Sequence, residues 1–167
     1  MAPPADPAPN GRPFESVWDY PRPPRVVADE RLVVIGFAGA DVARSRRAVR
    51  VLETASPPTV YLPPDDVRLE LLSELAGKHS LCEWKGRATY YDLVVGERRS
   101  EAAAWLYPRP NAPYLELRGW VSFFPARVDE IELGGEPVEP QPGRFYGGWV
   151  TAEVQGPIKG EPGTEAW

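Results

Sequence analysis

The stretch RATYYDLVVGERRSEAAAWLYP, Arg87–Pro108, decides the fold. Two runs of aromatic, β-branched and small apolar residues flank Gly96–Ser100, the composition of a β-hairpin with a short turn. In the first run Thr89, Tyr91, Leu93 and Val95 share one face, while Ala88, Tyr90, Asp92 and Val94 share the other. In the returning run Glu101, Ala103, Trp105 and Tyr107 oppose Ala102, Ala104 and Leu106. A slip of one residue in the pairing exchanges the faces, so alternation alone leaves open which set is buried.

Working outward, the same period recurs. Arg31–Phe37 is a β-branched run, and Gly39 supplies a turn. RRAVRVLET fits either a weak helical stripe or a strand, and its strand neighbours favour the strand. Thr59–Leu62 is a short strand stopped by Pro63 and Pro64. YLELRGWVSFFP alternates, with Leu115, Leu117, Val121 and Phe123 on one side, and VDEIELGGEPV adds a last strand and turn. One short helix is expected, capped by Asp65 or Asp66 and turning Val67, Leu71, Leu72 and Leu75 one way. The expectation is a mainly β protein, a small antiparallel two-sheet or barrel domain with one short helix.

The chain has 167 residues, enough for one core. Its 21 prolines are about twice the usual share, and eight of them fall in the first 24 residues. Residues 1–24 therefore read as an extended, mobile arm, 25–138 as the β domain, and 139–167 as a C-terminal strap. In that strap Phe145, Tyr146, Trp149, Val150, Val154, Ile158 and Trp167 recur as in a segment laid over an apolar surface, either as packing or as a lid.

The net charge of −5 and the lone basic cluster ARSRRAVR argue against a nucleic-acid partner. No run reaches the length of a membrane helix, and the first residues lack the pattern of a signal peptide. One cysteine forms no internal disulfide, so a cytoplasmic protein is expected. His79 and Cys82 are spaced like half of a zinc site, but no further His or Cys completes it, and no metal is expected. Glycine-rich phosphate loops and the Gly-x-Ser-x-Gly elbow are missing as well, so no cofactor is expected.

Cys82 beside Lys85 is a candidate nucleophile beside a cation. Glu53, in an apolar stretch, is a candidate acid or base, either alone or facing Asp92. The aromatic residues Trp84, Tyr90, Tyr91, Trp105, Tyr107 and Trp120 are candidates for core or for a stacking pocket.

Five blocks, SRRAVRVLET, VYLPPDDV, CEWKGRATYYD, AAWLYPRP and GWVSFFPARVD, together resemble the bacterial domain-of-unknown-function family 427 over about Arg31–Pro137. The tail FYGGWVTAEVQGPIKGEPGT is similar to an actinobacterial extension. The family's central block runs Cys-Pro-x-Lys-Gly-x-Ala-x-Tyr. Cys82, Lys85, Gly86, Ala88 and Tyr90 match it, and Glu83 replaces the proline. The resemblance implies a β-tent-like pair of sheets with a ligand pocket built from Arg50, Glu53, Tyr61, Asp66, Cys82, Lys85, Tyr90, Trp105 and Tyr107. The nucleotidyltransferase label sometimes given to the family finds no support here, because the glycine turn and spaced aspartates of such enzymes are missing. The expected function is binding of a small polar or aromatic metabolite, with catalysis by Cys82, Lys85 or Glu53 left open. The alternative is a non-enzymatic interaction module using exposed aromatic residues, and a homodimer stays open.

Overall fold

In the computed structural model, which describes residues 6–143 and 146–164, the apolar runs become strands in the order in which they occur. The first five are β1 (Arg25–Asp29), β2 (Val33–Phe37), β3 (Ala40–Ser45), β4 (Ala48–Leu52) and β5 (Thr59–Tyr61). They are followed by β6 (Leu72–Cys82), β7 (Gly86–Val95), β8 (Arg98–Leu106), β9 (Val121–Phe123) and β10 (Glu130–Leu133). Antiparallel pairing makes a four-stranded sheet β9-β8-β7-β6, a sheet containing β10-β2-β3, and a three-stranded sheet β1-β4-β5. Leu62, one residue past β5, exchanges both backbone hydrogen bonds with Val121 of β9 (2.8 and 2.9 Å), so the three- and four-stranded sheets run into each other. The protein is mainly β and antiparallel, and the described sheets do not close into a barrel.

The continuous β5–β9–β8–β7 surface is covered on both faces, and alternation sorts its side chains between two cores. Val60, Leu62, Leu93, Ala104, Val121 and Phe123 point toward β2 and β10, where they meet Val33, Ile35 and Leu133 in the main core. Tyr61, Ala88, Trp105, Tyr107 and Phe124 point the other way and meet Val51, Tyr114 and Leu117 in a second, aromatic cluster. The hairpin register settles the question its alternation left open. Tyr90 pairs with Trp105 and Tyr91 with Ala104, which places Tyr90 and Trp105 together on the second face.

Two segments differ from their sequence pattern. The stretch expected as a helix forms two single 3-10 turns, Pro64–Asp66 and Leu69–Leu71, and then the long edge strand β6. YLELRGWVSFFP is a strand only over Val121–Phe123. Its first half turns as a 3-10 segment, Ala112–Leu117, which leaves Leu115 exposed.

Ala8, Val17 and Tyr20 of the Pro-rich arm are buried, and Glu15–Ser16 pairs in parallel with Val154–Gln155 of the strap. Trp149 and Ile158 of the strap are buried as well, while Phe145 and Trp167 lie outside the described residues. No helix among the described residues is long and apolar enough to cross a membrane.

Candidate functional site

The second aromatic cluster is not filled completely. A cavity of about 160 Å³ opens in it, lined by Thr59 and Tyr61 of β5, Lys85, Tyr90 of β7, Trp105 of β8, Tyr107, Phe124 and Gly147. Trp105 is the centre of its wall. The indole packs against Phe124 with centroids 4.6 Å apart and meets Tyr61 edge-on at 6.0 Å. Its Nε1–H donates to the Tyr61 hydroxyl at 3.1 Å, which satisfies the one polar atom of a buried indole. Tyr90 stacks nearly parallel to Phe124 at 6.5 Å, and its hydroxyl is held by Ser80 of β6 at 2.6 Å.

Lys85 enters from the tight turn between β6 and β7. Cys82 and Gly86 pair across this turn, and Gly86 takes a φ of +111°, a conformation that costs glycine little. A Cβ at Gly86 would also crowd Asn111 Oδ1 at 3.3 Å. Asn111 clamps the turn from outside. Its N–H donates to the Lys85 carbonyl (2.8 Å) and its Nδ2 donates to the Trp84 carbonyl (3.0 Å). With the backbone fixed in this way, the lysine side chain runs inward until the residue is only 8 % exposed, with Nζ 5.8 Å from the Tyr107 ring centroid.

Burial alone would lower the Lys85 pKa, but the Tyr61 phenolate that forms only at alkaline pH, contact with Cys82 and, more weakly, the Glu53 carboxylate outweigh it, so the value lies above the ordinary lysine one. Burial raises the Tyr61 phenol, although Lys85 opposes the shift, and burial together with Tyr61 pushes the Tyr107 phenol far up. At neutral pH the cavity therefore presents one ammonium and neutral phenols. Such a floor is suited to holding and orienting a group, and it contains no free amine to act as base or nucleophile.

Of the residues expected in one pocket, Tyr61, Lys85, Tyr90, Trp105 and Tyr107 meet in this cavity. Cys82 lies behind it, half-buried, with Sγ accepting the Lys85 backbone N–H at 3.5 Å. Arg50, Asp66 and Glu53 do not line the cavity, because each is engaged by a partner of opposite charge. Arg50 pairs with Glu15 (2.9 Å) and Asp29 (3.3 Å). Asp66 takes Ser45 Oγ (2.6 Å) and Arg47 (2.8 Å), and Glu53 meets Arg22 at 3.8 Å. Asp92 serves the backbone, as described below.

His79 sits on the exposed edge strand, and no group of three or more His, Cys, Asp or Glu among the described residues is arranged to hold a metal. Thr59, Phe124 and Gly147 were not anticipated. Phe124 was readable in principle, since neighbouring residues at a strand end face opposite ways and Phe123 already belonged to the main core.

A family model described as "Domain of unknown function (DUF427)" matches residues 25–134, about two-thirds of the chain. The chain belongs to the DUF427 family. No curated protein matches it. The DUF427 match spans every lining residue except Gly147, which comes from the strap beyond it. In this DUF427 protein the family region thus builds the floor and walls, and the strap lays a glycine against the Trp105 ring. A Cβ at Gly147 would overlap that ring, so the residue type is dictated by the close approach.

Proposed function

We propose that this protein binds a small flat molecule in the cavity between β5, the β7–β8 hairpin and the strap. The observation that carries this reading is the wall itself, in which five aromatic side chains surround open space beside one buried cation. Native cores close such gaps, because a void forfeits the contacts of its lining. Ligand sites instead combine apolar walls with a few placed polar groups. At about 160 Å³ the space suits a one-ring molecule and is below the range of about 300–1,000 Å³ typical of drug-sized ligands. Trp84 and Trp120 are half-buried and pack against the aromatic cluster.

The test is a fragment screen read by two-dimensional NMR, with the Trp105 indole N–H resonance assigned by comparison with Trp105→Phe. One-ring compounds are expected to shift that resonance saturably. If none moves it at millimolar concentration, or if the shifted resonances cluster elsewhere, the reading is wrong.

A further inference from the structure

Lys85 carries a full positive charge into a mostly aromatic cluster. It is 8 % exposed and takes part in none of the ion pairs among the described residues. The carboxylate acting on it from a distance, Glu53, is itself paired with Arg22. Buried charges are expensive unless paired, and among the described residues the other buried cation is Arg50. Arg50, the other basic residue of comparable burial, shows the contrast, with Glu15 and Asp29 both against it. The face of the Tyr107 ring and the neighbouring Cys82 side chain offer Lys85 partial compensation, but neither is a carboxylate. Water in the cavity can occupy the ammonium protons but cannot neutralise the charge.

We infer that the occupant of the cavity is a planar organic monoanion of the arylcarboxylate type, its negative group on Lys85 Nζ and its ring against Trp105 and Phe124. This rests on the reading of the cavity as a small-molecule site and adds the charge of the ligand. The stoichiometry of charge selects a monoanion, because Lys85 is the only basic side chain lining the cavity, among the described residues, and a phosphate dianion would leave a second negative charge unpaired. The Tyr61 hydroxyl, which accepts from Trp105 Nε1 and keeps its own proton, is able to donate to the oxygen that Lys85 leaves free.

The experiment titrates the full chain with benzoate, benzamide, benzyl alcohol and phenyl phosphate, following the Trp105 indole resonance. Benzoate should bind at least tenfold more tightly than either neutral probe and more tightly than phenyl phosphate. Lys85→Met should bring benzoate and benzamide within about twofold, and Lys85→Arg should keep the preference. If benzamide or benzyl alcohol binds as well as benzoate, the cavity takes flat molecules without regard to charge, and this inference falls while the proposed function stands. Preference for phenyl phosphate overturns the monoanion. Should no probe move the Trp105 signal, both readings fall. The wild-type comparison decides the matter even if Lys85→Met does not fold.

Discussion

Asp92 is a carboxylate only 4 % exposed in the middle of β7, and the local backbone explains it. Between the pairs Tyr91–Ala104 and Leu93–Ser100, β7 contributes one residue and β8 contributes three. The surplus bulges, with Ala102 at a φ of +51° and its N–H turned away from the ladder. Asp92 Oδ1 accepts that N–H at 2.9 Å, and Oδ2 takes Arg99 at 2.6 Å. Asp92→Ala leaves a buried N–H without an acceptor and should cost about 2 kcal/mol in urea unfolding, while Asp92→Asn keeps an acceptor and should cost about 1 kcal/mol. A smaller loss for Ala than for Asn would show that the carboxylate does not hold the bulge. Nothing in the sequence marks this bulge, because an alanine takes the left-handed position where a glycine would have signalled it. The surplus of two residues also preserves the alternation on either side. Tyr61, Tyr90 and Trp105 of the cavity were legible because they lie on regular strands within recognisable blocks. Arg50 and Asp66 were misplaced because their partners, Glu15 and Ser45, come from segments that no local pattern connects to them.

At the scale of elements, β6 is the instructive difference. Leu71, Leu72 and Leu75 have helical spacing and helix-favouring neighbours, yet Leu72–Glu74 and His79–Cys82 pair with β7. An edge strand exposed over most of its residues has no buried face to write a period of two into the sequence, and its register shift between Glu74 and His79 breaks what alternation remains. Tertiary pairing then overrides propensity. The strap shows the converse, an irregular element whose placement depends on one small residue. Gly147→Ala should push the strap off the Trp105 ring, costing about 1–3 kcal/mol as an overpacking change. It should also abolish the ligand-induced shift of the Trp105 indole. Thermal unfolding and the NMR titration report the two effects separately, and wild-type behaviour in both would remove Gly147 from the wall.

For the molecule as a whole, a buried ionic network joins the beginning of the chain, the β domain and the strap. Arg50 holds Glu15 and Asp29. Arg31 holds Asp29 (2.6 Å) and Glu153 (3.0 Å), and Asn10 donates to Glu153 at 2.8 Å. Burial would raise all three carboxyls. Hydrogen bonds from Arg50 and Tyr20 to Glu15, from Arg31 to Asp29, and from Thr151 and Asn10 to Glu153 reverse that and hold each below its usual value. Depressed carboxyl values stabilise the fold fully above the unfolded values of about 3.9–4.3, and the contribution is lost as pH falls through the folded ones. The melting temperature should therefore be flat from about pH 6 to 8 and drop below about pH 4. Arg50→Gln, which strands a partly buried charge, should cost about 3–5 kcal/mol at pH 7. That deficit should shrink as pH falls, because without Arg50 burial raises the Glu15 carboxyl and protonation then removes the stranded charge. A deficit independent of pH would mean that Arg50 acts by packing alone.

The parallel pairing of Glu15–Ser16 with Val154–Gln155 has a mechanical consequence. The chain enters one strand and leaves the other in the same direction, so tension applied at the two ends slides the strands past each other and does not unzip them. Such a load falls on all of the backbone bonds and ion pairs of the clasp at once, and it must break them before it reaches the sheets that carry the cavity.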